Sequence, residues 1–281
     1  SKQRGLKIHL KVNENLSIFL ENFTKQINNY QNQDQKKWLS HCLNWKTRYP
    51  TIKNEDYKQK KFVNPYAFFG HLSNLLDNNS ITVVDTGGNE TWALQALKVK
   101  KGQKLFSGFG HQPMGYALPA AISAAILKKN SKIISINGDA GIQLNIQELQ
   151  TMVANKLPVK IIVLNNNGHG IIKQFQEQYL NKRYEATTPK TGVTNPNFAK
   201  VSKAYGIKYS LIKDNNKIKG ILRAAIKSNK PEFVEVLIKS DQKIIPKLQF
   251  GNPIEDLSPL LKKSEFESNM LVKTVKRSKN I

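Results

Sequence analysis

The sequence predicts an α/β protein, a doubly wound parallel sheet with helices on both faces. Three observations carry that prediction. Short apolar, β-branched runs recur at Ile81 to Val84, Ile133 to Ile136, Val159 to Leu164, Ile207 to Ile212 and Phe233 to Ile238. Their composition is that of strands buried on both sides. Helical patterns lie between them, and such alternation implies helices above and below a parallel sheet. Finally, Ser131 to Gly170 holds a complete strand, helix and strand, the size of one βαβ unit.

Taken in order, Gly5 to Leu10 reads as a lone strand and Asn13 to Ile27 as a helix with Leu16, Phe19, Leu20, Phe23 and Ile27 on one side. Two elements without neighbours cannot form a core, so residues 1–28 read as the end of a preceding domain. Residues 29–61 are polar and lysine-rich, a connector that is partly helical and anchored by Trp38, Leu39 and Trp45. His41 and Cys42 lack further ligands at metal spacing and read as packing residues. The main domain, 62–240, opens with Asn64-Pro65, a cap followed by proline, and a helix lined by Ala67, Phe68, Leu72, Leu75 and Leu76. After the first strand, Asp85-Thr86-Gly87-Gly88-Asn89 forms a loop leading to a helix from Glu90 to Leu97, a suitable anion site or an ordinary glycine turn. A glycine-rich stretch, Phe106 to Pro119, introduces a helix from Ala120 to Leu127, and His111 within it either faces a substrate or caps a turn. Asn145 and Glu148 predict a capping box for the next helix, which Pro158 stops. Helices follow at Ile171 to Leu180, Asn197 to Tyr205 and Lys217 to Ser228, and a polar loop, Asn181 to Pro196, is able to cover a site. Residues 241–281 form an extension with a basic, disordered tail from Lys273 to Lys279.

Composition narrows the functional classes. The net charge is +24, but lysines are spread along the chain, in pairs at most, and mixed with asparagines. Nucleic-acid binding wants basic residues gathered and interleaved with aromatics, so solvated lysines are the favoured reading. The positive field favours anionic ligands without identifying them. The single cysteine excludes an internal disulfide framework. Ala117 to Leu127, the longest nearly apolar run, falls short of the roughly 20 residues that span a bilayer. No signal-peptide pattern opens the chain, so a cytoplasmic protein without a membrane partner is expected.

The chemistry concentrates in Ser131 to Gly170. A right-handed crossover brings both loops of the unit to one sheet edge, so Asp139 and Asn165-Asn166-Asn167 can converge. A carboxylate, a carboxamide oxygen and a main-chain carbonyl are hard ligands suited to Mg²⁺, which also favours phosphate oxygens. Gly138 and Gly141 let backbone N–H groups approach a phosphate. The alternative is an Asp and Asn pair in ordinary turns.

Gly138-Asp139-Ala140, then residues 141–164, then Asn165-Asn166 resembles the GDG-to-NN signature of thiamine diphosphate enzymes, with the acetolactate synthase-like branch as the best match. The resemblance implies the thiamine diphosphate-binding fold, with Asp139, Asn166 and the main-chain oxygen of Gly168 holding Mg²⁺ beside the diphosphate. It makes Gly88, Asn89, Met114, Gly138, Ala140, Gly141 and His169 the candidate cofactor-binding residues. Gly88 and Asn89 stand where the family usually has Gln and His, and Ala140 replaces the motif's last glycine. Met114-Gly115-Tyr116-Ala117-Leu118-Pro119 resembles the family's MGFGLP stretch, whose Met props the cofactor into its bent shape. By itself Met114 also reads as a core residue. Phe175 stands where the family commonly has a Trp associated with the choice of second 2-oxo acid.

The resemblance covers the C-terminal half of a full-length family member, and residues 1–28 resemble the end of its central domain. It implies decarboxylation and carboligation of 2-oxo acids in a homo-oligomer. The activating glutamate belongs to a pyrimidine-binding domain, expected from another chain or a missing segment. Neither Glu90 nor Glu177 sits in that motif, so no residue here is assigned as the catalytic acid. An inactive truncated remnant is the alternative, followed by a 2-oxo acid decarboxylase subunit, with a basic nucleic-acid-binding protein last.

Overall fold

A computed structural model describes residues 9–28 and 35–274. The chain divides into two compact units, Ser1–Pro50 and Thr51–Ile281. The first contains α1 (Leu16–Ile27) and α2 (Gln35–Arg48). Asn15 caps α1, its side chain accepting from the Ser17 N–H at 2.9 Å. Trp38 and Trp45, two turns apart on α2, meet edge to face at 5.7 Å. The strand expected over Gly5 to Leu10 lies mostly outside the described residues, and His9 and Leu10 are not in a strand. Most of the basic tail also lies outside them.

The second unit begins with a short helix, α3 (Asn54–Tyr57), then α4 (Pro65–Leu75). It continues through β1 (Ser80–Val84), α5 (Gly88–Ala96), β2 (Lys104–Phe106), α6 (Ala117–Leu127) and β3 (Lys132–Gly138). Next come α7 (Glu148–Ala154), β4 (Lys160–Asn165), α8 (Gly170–Tyr179), α9 (Phe198–Ala204) and β5 (Lys208–Ile212). The last are α10 (Asn215–Lys227), β6 (Glu232–Leu237) and α11 (Lys263–Asn269). The strands form one sheet in the order β2-β1-β3-β4-β6-β5, and every pairing is parallel.

Strand residues point alternately to the two faces. Ile134, Ile136, Ile162, Leu164, Val234 and Val236 pack on one face against α4, α5 and α10, through Phe68, Phe69, Trp92, Ala93, Ile218 and Leu222. Ile133, Ile161, Val163 and Phe233 pack on the other against α6, α7 and α9, through Leu118, Ile122, Leu149, Met152 and Phe198. The sheet is therefore doubly wound, and each buried Val, Ile, Leu, Met or Phe side chain contributes about 1.5–3 kcal/mol. The arrangement also positions a crevice. From β1 the chain turns to β2 on one side, and from β3 it turns to β4 on the other. The loops after β1 and β3 therefore part at the carboxyl edge, the topological switch point where α/β proteins bind ligands.

Several local expectations change. β2 was not expected, because a three-residue edge strand beginning with lysine has no apolar run to announce it. Helix α6 starts at Ala117 rather than Ala120, since Pro119 in a first turn forgoes an N–H that had no helical partner. Helix α5 starts at Gly88 because Gly87, at φ 111°, turns the chain directly into it. The capping box at Asn145 does not form. Gly141–Asn145 is a 3-10 turn, α7 begins at Glu148, and the Asn145 amide donates to the Gly115 carbonyl at 2.8 Å. A tertiary acceptor outbids the local cap.

Candidate functional site

Three loops build a cavity of about 220 Å³ at the switch point. The turn after β1 leads into α5, whose first residues are Gly88 and Asn89; the loop after β3 brings Asp139, Ala140 and Gly141, following Gly138 at the strand's tip. The loop after β4 brings Asn166, Gly168 and His169, and Met114 enters from the segment before α6. Every candidate cofactor and metal residue of the sequence reading thus lines a single cavity. Trp92, Leu164, Ile171 and Ile172 give it an apolar side.

Asp139 is almost fully buried. Its Oδ2 accepts from the Gly168 N–H at 3.0 Å and from the Asn195 amide at 2.6 Å, so the loops after β3 and β4 are physically joined. Burial pushes this carboxyl up from the ordinary carboxylate value, and the Asn195 and Gly168 hydrogen bonds oppose that rise. The asparagines after β4 divide their work. The Asn165 amide donates to Glu235 Oε1 at 2.6 Å, and its own oxygen accepts from the Asn167 N–H at 2.9 Å, which tie the strand end in place. Asn166 makes no side-chain hydrogen bond to the described residues and keeps its carboxamide for the cavity it lines. Gly168 has to be glycine: its φ is +155°, and a Cβ there would stand 2.4 Å from the Thr187 carbonyl oxygen.

On the opposite wall, α5 opens at Gly87 without a side-chain cap. The first N–H groups of a helix lack intrahelical partners, so an uncapped start facing a cavity favours an anion. Asn89 is buried and its amide donates to the Asp85 carbonyl at 2.6 Å, an internal use of the donor expected there. Met114 is 39% exposed and so is not a core residue. His111 is exposed and lies outside the cavity lining.

Two contributors escaped sequence reasoning. Asp85 is fully buried, and its carboxylate accepts from the Gly115 and Tyr116 N–H groups at 3.0 Å each, holding the segment that carries Met114. Burial raises its pKa, and these backbone donors oppose the rise. A Cβ on Gly141 would meet Asp85 Oδ2 at 2.1 Å, so this glycine answers to Asp85 as well as to the cavity. The other is Asn195, which reaches Asp139 from the covering loop. An acidic residue after a strand was a faint signal for Asp85; nothing local marked Asn195. Glu90 and Glu177 do not line the cavity. Glu90 is buried with Oε1 unpartnered among the described residues, and Glu177 pairs with Lys243.

Among the described residues, no three His, Cys, Asp or Glu side chains gather as a metal cluster, and no helix is long and apolar enough to cross a membrane. Any cation here would rely on one carboxylate, neutral oxygens and its ligand's own charge. Asp139, the uncommitted Asn166 carboxamide and the uncapped start of α5 form a donor set that fits a hard cation with a phosphate group.

Comparison with known proteins identifies the family. Residues 85–236, more than half of the chain, match the family model for the thiamine pyrophosphate enzyme C-terminal TPP binding domain. The acetolactate synthase large subunit of Cyanidium caldarium is 29% identical over 254 residues, covering 90% of this chain and 42% of that protein. That of Porphyra purpurea is 30% identical over 214 residues, covering 76% and 35%. The mitochondrial acetolactate synthase catalytic subunit of Saccharomyces cerevisiae is 28% identical over 227 residues, covering 80% and 32%. The chain spans less than half the length of these relatives. With the site at the switch point and the match running through all three of its loops, the chain belongs to the thiamine pyrophosphate enzyme family, in its acetolactate synthase-like branch.

Proposed function

We propose that this chain is the diphosphate- and Mg²⁺-binding portion of an enzyme that decarboxylates 2-oxo acids and joins the remaining carbon unit to an acceptor. It works beside a pyrimidine-binding domain that supplies the activating glutamate, within a homo-oligomer. The observation that carries this reading is the convergence of Asp139, Asn166 and Gly168 with the uncapped start of α5 around one cavity.

Thiamine diphosphate, when bound, supplies the thiazolium carbon on which a 2-oxo acid loses CO₂. The chain's own residues do the rest. Asp139 and Asn166 offer side-chain oxygens, and Gly168 a main-chain oxygen, to Mg²⁺. The N–H groups opening α5 favour the diphosphate. Gly138, Ala140 and Gly141 keep backbone close to the same anion. Met114 offers a deformable apolar wall. Trp92, Leu164, Ile171 and Ile172 exclude water from the apolar side, which strengthens every charge interaction within.

Calorimetry with thiamine diphosphate and Mg²⁺, repeated on Asp139→Ala, tests the reading. Binding by the wild-type chain and its loss in the variant are expected. No binding by the wild type overturns it. Binding without CO₂ release from pyruvate, whichever pyrimidine-binding domain is added, supports an inactive remnant instead.

A further inference from the structure

We propose that Asn195 is a positioning residue that couples the loop over residues 181–196 to the cation held by Asp139; the inference rests on the function proposed above. The loop touches both sides of the candidate metal set. Its Thr187 carbonyl accepts from the His169 N–H at 3.1 Å and lies against Gly168 so closely that a Cβ there would not fit. Its Asn195 amide lies 2.6 Å from Asp139 Oδ2, and 3.3 Å from both Asn165 Oδ1 and Asn167 Oδ1. Three side-chain oxygens at the carboxyl ends of β3 and β4 thus surround one nitrogen of the covering loop.

The direction of this amide is determined by its neighbours. Gln143 Nε2 donates at 3.0 Å to the main-chain oxygen of Asp139, an atom that can only accept. The same nitrogen donates at 3.0 Å to Asn195 Oδ1, so the Asn195 nitrogen must face the carboxylate. Asp139 Oδ2 then holds two donors, Asn195 and the Gly168 N–H, and the carboxylate is locked in one orientation. Groups of this kind, one shell behind a ligand, set its direction and typically change metal affinity about 10–100-fold when removed. Linkage works in both directions: if the ordered loop favours the cation, the cation must favour the ordered loop.

The test uses the whole chain, saturated with thiamine diphosphate and titrated with MgCl₂. Two readouts are followed, Mg²⁺ affinity by calorimetry and tryptic cleavage at the exposed Lys182, Arg183 and Lys190 of the loop. In the wild type, Mg²⁺ should slow cleavage. In Asn195→Ala, affinity should fall at least about 10-fold and the protection should disappear. Asn195→Asp sets a second carboxylate beside Asp139 and provides a check independent of side-chain truncation. Its melting temperature should fall without Mg²⁺ and should rise further on Mg²⁺ addition than that of the wild type. Wild-type Mg²⁺ affinity in Asn195→Ala, with the wild-type protein binding normally, overturns the inference and leaves the proposed function standing. A wild-type chain that binds nothing removes both.

Discussion

Replacing Gly141 with alanine sets a local preference directly against a tertiary contact. Gly141 lies in a 3-10 turn and does not need a positive φ, so backbone entropy alone favours alanine by about 0.5–1 kcal/mol. The opposing contact is Asp85 Oδ2, which a Cβ would meet at 2.1 Å. A flexible side chain would move away at little cost. Asp85 has no such freedom, being fully buried and held by the Gly115 and Tyr116 N–H groups at 3.0 Å each. Relieving the overlap means overpacking, at about 1–3 kcal/mol, or loosening hydrogen bonds to a charged acceptor, at about 1.5–3 kcal/mol. A net destabilisation of about 0.5–2.5 kcal/mol is expected after the backbone gain is subtracted. Urea unfolding of the wild type, Gly141→Ala, Asp85→Ala and the double variant reads it out. With the aspartate shortened, the added alanine should cost under about 1 kcal/mol. A Gly141→Ala protein as stable as the wild type, or an equal cost in both backgrounds, would refute the argument.

Further outcomes can be checked separately. Lys160 is buried at the amino end of β4, donating to the carbonyls of Ser228 and Lys230 at 2.7 and 2.5 Å, and burial lowers its pKa to about 8. The unfolded chain, with the ordinary value of 10.5, binds more protons between these limits, so this residue's contribution to stability rises with pH from about 8 to 10.5. Denaturation series at both ends should show that rise shrinking in Lys160→Met; identical pH slopes would rule it out. The Tyr66 hydroxyl donates to the Ile245 carbonyl at 2.7 Å and accepts from the Ile245 N–H at 2.8 Å, fastening the C-terminal segment to α4. Tyr66→Phe should lower unfolding free energy by about 1–3 kcal/mol, measured in urea. Gly168→Ala should displace the Thr187 carbonyl and weaken thiamine diphosphate binding by calorimetry even where circular dichroism shows the sheet intact.

How much of this was legible beforehand depends on the range of the interaction involved. The β-branched runs that became β1, β3, β4, β5 and β6 are local, and doubly buried strands must be continuously apolar, so composition revealed them. The GDA-to-NN spacing was equally readable, because one crossover obliges both loops to reach the same edge. Sequence alone therefore determined that the sheet would be doubly wound and that Asp139 and the asparagines after Leu164 would reach one edge of it. Only the tertiary structure decided their partners. Asn145 carries a sound capping pattern, yet the Gly115 carbonyl claims it. Asp85 and Gly141 are distant along the chain, and their contact exists only once β1 and β3 pair. Asn195 looks like any polar loop residue until the loop folds back upon Asp139. Hydrophobic periodicity repeats along a chain and can be read from it. A hydrogen bond between loops depends on where both ends arrive, and that is settled by packing.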